Sequence, residues 1–285
     1  MLRPALPRIG KSFQIFRRSL HKLPILQHEY RDGVPGLLSA AAFDLAWTQY
    51  QSLMIEKLNA LTAGTEMSGK TPKDILIKYA RDPNSAPHFN YASMAHNNDF
   101  FFRGLSPTPP PIEAHKALKA ELEQSFSSME TLRLEFVNTA VAMFGPGFVW
   151  LVKDKSGGRY RILTTYLAGS PWPAAHYRRQ TVDMNTERDG ATSEHMRRIM
   201  NAPAANANRL GTHGQPSVTA PGGADIVPVL CLNTWEHVYL PDYGVGRLGQ
   251  GGGKQEFAER WWDTIDWRIV DLNAKPVDKG NHYES

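Results

Sequence analysis

Three short stretches of the chain hold the residue types from which chemistry is built. Asn233-Thr234-Trp235-Glu236-His237 sets a carboxylate beside a histidine just after an apolar run, and Ala95-His96-Asn97-Asn98-Asp99 gathers an imidazole, two amides and a carboxylate. An imidazole and carboxylates brought together by folding can ligate a transition metal, whereas uncharged amides are poor ligands for iron or manganese. At a seam between helices such a polar cluster more commonly closes on itself as a hydrogen-bonded network. The third stretch, Gly64-Thr65-Glu66-Met67-Ser68-Gly69-Lys70-Thr71, satisfies the phosphate-loop pattern G-x-x-x-x-G-K-[ST]. That loop cradles phosphate only when a strand feeds it and a helix starts at its end. Here residues 56–61, which feed it, read as helix, Pro72 suits a helix start, and no strand ending in aspartate follows at a plausible place. A polar loop joining two helices is the expectation, with nucleotide binding through Gly64 to Thr71 as an alternative. The glycine run 249–253 with Lys254 matches less well, since Leu248 stands at the first required glycine and Gln255 at the hydroxyl. It reads as a surface loop.

These stretches must be positioned by the elements around them. Residues 36–62 read as a helix, because Leu37, Ala41, Leu45, Trp47, Leu53, Met54 and Leu58 recur at steps of mostly three or four. Ser39 can cap its first turn. A second helical piece is expected over 72–81, and an aromatic-dense segment follows over 89–105. Four prolines between residues 106 and 111 mark the clearest linker. Residues 112–143 are again helical in pattern, charged first and apolar later. Residues 148–152 and 160–166 read as adjacent antiparallel strands, joined by the hairpin signal Asp154-Lys155-Ser156-Gly157-Gly158. Residues 178–224 are rich in Asn, Ala, Gly, Ser and Thr with little periodicity, which suggests a flexible insertion with a short helix over 193–200. A third strand is expected over 226–232 and a last helix over 257–271.

Bulk composition narrows the function. The 285 residues are 41% hydrophobic, enough for a substantial core, and carry a formal charge of +4. A mildly basic chain is compatible with a polyanionic partner without demonstrating one. The single cysteine, Cys231, lies in an apolar run and reads as a buried, inert thiol. No apolar stretch approaches the ~20 residues that cross a bilayer, so no membrane partner is expected. Residues 1–28 hold Arg3, Arg8, Lys11, Arg17, Arg18 and Lys22 but no Asp or Glu, which has the character of a mitochondrial targeting segment over 1–20. A basic arm that stays on the protein and meets phosphate is the other reading.

Leu232-Asn233-Thr234-Trp235-Glu236-His237-Val238-Tyr239, then Asp242-Tyr243 and Arg247, then Trp262-Asp263-Thr264-Ile265-Asp266-Trp267, resemble the C-terminal signature of iron/manganese superoxide dismutases: D-x-W-E-H-A-Y, Y-x-x-x-R and W-x-x-I-N-W. Leu23-Pro24, Phe89-Asn90, Asn97, Leu105-Ser106-Pro107 and Phe144-Gly145-Pro146-Gly147-Phe148-Val149-Trp150-Leu151 match in the same order. The resemblance runs from about 23 to 271. It implies an α+β fold: an N-terminal helical hairpin domain over 21–107, and a C-terminal α/β domain with a three-stranded antiparallel sheet over 112–285.

The resemblance also implies a metal held by three imidazoles and one carboxylate, and here the chain departs from the family. Ala46 falls at the first histidine, Met54 at the gateway tyrosine, Asn98 at the second histidine and Asn233 at the carboxylate; a frame shifted by one puts Asp99, also not a histidine, at the second position. His237 alone matches a ligand. No metal, cofactor or catalytic residue is therefore expected. In the family the Glu-His pair reaches across the dimer interface, which makes Glu236, His237 and Tyr239 candidate interface residues. The combination with a basic leader resembles the superoxide-dismutase-like proteins of the fungal mitochondrial small ribosomal subunit. It implies a non-enzymatic scaffold of the mitochondrial matrix, paired with a second such subunit as a heterodimer, with a homodimer as the alternative, and in contact with small-subunit proteins and rRNA. Arg17-Arg18, Arg178-Arg179, Arg197-Arg198 and Arg209 are the candidate contacts. An active or altered-metal superoxide dismutase is the enzymatic alternative.

Overall fold

The computed structural model describes residues 20–80, 82–155, 158–172, 226–247 and 251–275. Residues 1–19 of the expected leader, the whole of the expected insertion over 178–224 and the arginines named above as candidate contacts lie outside them.

The chain enters through a two-stranded ribbon, β1 (Gly33–Val34) and β2 (Leu38–Ser39). The helix expected from residue 36 therefore starts later, because Gly33 and Gly36 turn the chain at φ of +91° and +75°. Ser39 then caps α1 (Ala40–Phe43), its Oγ accepting from the Ala42 N–H at 3.2 Å. The helix continues through a π-helical turn (Asp44–Gln49) into α2 (Tyr50–Thr62). α3 (Pro72–Tyr79) opens on a capping box, with Thr71 and Asp74 each bonding the other's backbone N–H. The aromatic-dense segment is itself a long helix, α4 (Ala86–Arg103), which packs against α2, α3 and the sheet.

The helical pattern over 112–143 divides into a 3-10 turn, α5 (Lys116–Phe126) and α6 (Met129–Ala142). The break is local: Ser127 sits at φ +72° and the Ser128 Oγ accepts from the Thr131 N–H, starting a new helix. β3 (Gly147–Asp154), β4 (Tyr160–Tyr166) and β5 (Ile226–Asn233) form one antiparallel sheet in the order β4-β3-β5, with Trp150 facing Leu163 on one side and Cys231 on the other. A short helix, α7 (Glu236–Tyr243), follows β5 directly.

The last expected helix is two, α8 (Gly253–Trp262) and α9 (Trp267–Ala274). Residues 263–266 leave the helix to pair with the end of α4, through Ser106 N–H to Thr264 O and Asp266 N–H to Gly104 O, both at 2.9 Å. Asp266 caps α9 by accepting from the Arg268 N–H. The large fully buried side chains Phe101, Phe102, Phe136, Phe148, Trp150, Phe257 and Trp261 come from both helices and sheet and form one core. A second cluster, with Leu58, Ile75, Leu76 and Phe89 at its centre, fills the space between α2, α3 and α4.

Candidate functional site

Where α2, α4 and the end of β5 meet, the core is polar. Gln51, Asn98 and Asn233 are each at 0% exposure, as is Ala46. The Asn98 Nδ2 donates to the Gln51 Oε1 at 3.0 Å and to the Ala46 carbonyl at 3.1 Å. The Asn98 Oδ1 accepts from the Asn233 Nδ2 at 3.1 Å. The ends of the chain are closed as well: the Gln51 Nε2 donates to the Ala95 carbonyl at 2.8 Å, and the Asn233 Oδ1 accepts from the Trp235 N–H at 3.0 Å. Buried amides satisfied in this way stabilise a single arrangement of three elements, since an unmet partner in the dry interior costs about 1–3 kcal/mol.

The π-helical turn explains how Ala46 takes part. The N–H of Tyr50, its ordinary α-helical partner four residues on, is turned to the carbonyls of Leu45 and Trp47. The Ala46 carbonyl is thus offered to Asn98. π-turns of this kind commonly mark functional positions.

His237 stands beside this network on α7 with its ring stacked on Tyr50 at 4.0 Å. Its Nε2 is buried without a hydrogen-bond partner, and burial pushes its pKa down to about 4, so the ring is neutral at physiological pH. Glu236 is partly exposed at the first turn of α7, whereas Tyr239 points inward and stacks on Phe257 at 5.8 Å. Met54 is buried on α2.

The other residues of the 95–99 stretch face elsewhere. The His96 Nε2 accepts from the Trp172 Nε1 at 2.7 Å, while Lys73 lies 3.6 Å over the Trp172 ring. Burial under these groups, together with the Lys73 and Arg103 charges, pushes the His96 pKa down to about 3, although the residue keeps some outer surface. Asp99 is paired with Arg103 one turn on, at 2.8 Å. Among the described residues no three His, Cys, Asp or Glu side chains converge to hold a metal.

The Gly64 to Thr71 loop is fed by helix α2, not by a strand. The N-terminus of α3, where a phosphate would sit, is occupied by the Asp74 carboxylate, which accepts from both the Thr71 N–H and its hydroxyl. A fixed negative charge there opposes an anion. Thr71→Ala is expected to lower stability by about 1 kcal/mol through loss of the cap, read as a small drop in urea midpoint. In the glycine loop, residues 248–250 lie outside the description, and Lys254 is committed to the Met143 carbonyl at 2.7 Å. Asp242 and Tyr243 are structural ties: the Asp242 carboxylate accepts from the Ser39 N–H and Oγ at 2.7 Å, and the Tyr243 hydroxyl donates to the Leu37 carbonyl.

Gln51 is the functional residue that the sequence reading passes over. Its only signal is a lone amide in phase with the apolar stripe of α2, between Trp47 and Met54.

Residues 114–184 and 200–273 match the family described as iron/manganese superoxide dismutases, C-terminal domain. The chain is 31% identical over 205 residues to small ribosomal subunit protein mS42 of Schizosaccharomyces pombe, covering 70% of this chain and 72% of the relative. It is 28% identical over 259 residues to small ribosomal subunit protein mS43 of the same yeast, covering 88% and 83%. It is 24% identical over 252 residues to superoxide dismutase (Fe) of Escherichia coli K12, covering 88% and 97%.

Proposed function

Since the chain belongs to the iron/manganese superoxide dismutase family, we propose that it is a member without the metal, serving as a non-enzymatic structural component of the mitochondrial small ribosomal subunit. The observation that carries this reading is the closed amide network. Ala46, Asn98 and Asn233 fall at three of the family's four ligand positions, and these residues do not fit iron or manganese. Ala46 has no side-chain donor, and the amides are engaged with one another instead of presenting charged or imidazole ligands. His237 alone is no first shell. The bonds that would join the hairpin to the sheet through a metal are made here by Gln51, Asn98 and Asn233, which preserves the fold and leaves no redox centre.

Similarity to two small-subunit ribosomal proteins over most of the chain supports the ribosomal half of the proposal. The basic leader supports a mitochondrial, matrix-side location. Partners are small-subunit ribosomal proteins and rRNA, and a second dismutase-like subunit at the Glu236–His237 face. Glu236 lies close enough to Lys254 for its charge to be felt there, and Lys254 donates to the Met143 carbonyl. Phe144 and Val245, large apolar side chains at 95% and 87% exposure, are of the kind that a pairing surface would cover.

Sedimentation of mitochondrial lysate tests the function. The chain is expected to travel with the small subunit through a sucrose gradient, together with a dismutase-like partner. Recovery only in the soluble fractions at the top would refute the proposal.

A further inference from the structure

The face of the sheet that α4 covers ends in cations. Trp150, Val152 and Asp154 of β3 share that face with Arg161, Leu163 and Thr165 of β4, and the Trp150 Nε1 donates across it to the Thr165 Oγ1 at 2.9 Å. α4 reaches it through Phe100, whose ring lies 5.5 Å from that of Trp150. Towards the β3–β4 hairpin the cover gives way. Arg159 and Arg161 are exposed and, two residues apart, lie on one side of the strand, while Lys155 is exposed in the turn that follows β3. Lys73, on the first turn of α3, joins them from the other side: its ammonium lies 3.6 Å over the Trp172 ring, and it is close enough to Lys155 for the two charges to repel. Burial lowers the Lys73 pKa, and Lys155 adds to that against the opposing pull of Asp74. The two carboxylates at hand are engaged, Asp74 with the Thr71 N–H and hydroxyl and Asp154 with Arg161 at 3.6 Å. An ammonium held against both burial and a like charge gains most from an incoming anion.

We infer that Lys73, Lys155, Arg159 and Arg161 form a contact surface for the phosphate backbone of RNA. The inference rests on the ribosomal reading above and deepens it by naming the surface. Cations spread over a helix start and a hairpin, not gathered in a pocket, match the repeating charge of a nucleic-acid strand, and contacts of this kind fix register without reading bases. The phosphates meet side chains here and not the α3 amides, where the Asp74 carboxylate stands.

Titration of the full chain with polyuridine over a range of salt concentrations tests the surface. Arg159→Gln combined with Arg161→Gln, and separately Lys73→Gln, are compared with Lys57→Gln combined with Lys116→Gln, which removes two exposed charges from α2 and α5. The arginine pair is expected to flatten the plot of log affinity against log salt by about 1.4, and Lys73→Gln by about 0.7, since each phosphate contact on a single strand contributes about 0.7. The α2–α5 pair should leave the slope as it is. An unchanged slope in the arginine variant, equal flattening by both pairs, or no binding by the parent chain overturns the surface. So does unchanged polyuridine binding with loss of polyglutamate binding, which would assign these cations to an acidic protein. The ribosomal reading is decided apart from this, by whether the parent chain sediments with the small subunit.

Discussion

Asn98→Ala should unfold at a much lower urea concentration than the parent chain, with a loss of about 3–5 kcal/mol. Asn98 is the hub of the network. Removing its amide strands the Gln51 Oε1, the Ala46 carbonyl and the Asn233 Nδ2 in a region at 0% exposure, and it opens a cavity among them. Asn98→Leu should be comparably damaging, since it restores volume and none of the bonds. Asn98→Ala and Asn233→Ala combined should cost less than the sum of the two, because the second change removes a group already orphaned by the first. Additive losses would mean that the two amides are not coupled in the folded protein.

Acid should destabilise the chain steeply below neutral pH. His237 and His96 are held neutral in the folded state, with pKa values lowered to about 4 and about 3, chiefly by burial. Their ordinary value is 6.5. The unfolded chain therefore binds more protons between 6.5 and these values, and the native state loses stability as pH falls through that window. The contribution is complete above 6.5. At about pH 4 each histidine removes about 3 kcal/mol, at about 1.4 kcal/mol per pH unit. Urea midpoints measured at pH 7 and about pH 4 give the comparison. His96→Asn, which keeps an acceptor for Trp172, should flatten the pH dependence by about half. An unaltered slope in that variant would show that His96 is not held neutral.

The legible parts of the fold are those with a local cause. Strands 148–152, 160–166 and 226–232 announce themselves by β-branched and aromatic residues next to a hairpin signal, and Ser39 and Pro72 mark helix starts by their chemistry. The breaks were hidden, for a physical reason. The apolar pattern over 112–143 runs on through Ser127 and Ser128, so only the left-handed backbone of one and the cap supplied by the other divide it. The bend after Trp262 exists because the chain just beyond α4 offers backbone partners at Gly104 and Ser106, residues distant in sequence. α7 begins right after β5 and contains Pro241, which obscures its helical character.

The site divides along the same line. That Ala46, Asn98 and Asn233 replace ligand types is visible in residue identity once the family pattern is set beside them. That they bond to one another through Asn98, with Gln51 as a further partner, is not, since it depends on a π-turn redirecting one carbonyl and on amide orientations settled by tertiary contacts.

The most direct measurement is iron and manganese content of the protein purified from cells supplied with both metals, read alongside superoxide turnover. Ala46 and the bonded amides predict metal far below one atom per chain and no turnover. Near-stoichiometric iron or manganese with activity would contradict the account and return the chain to the enzymes.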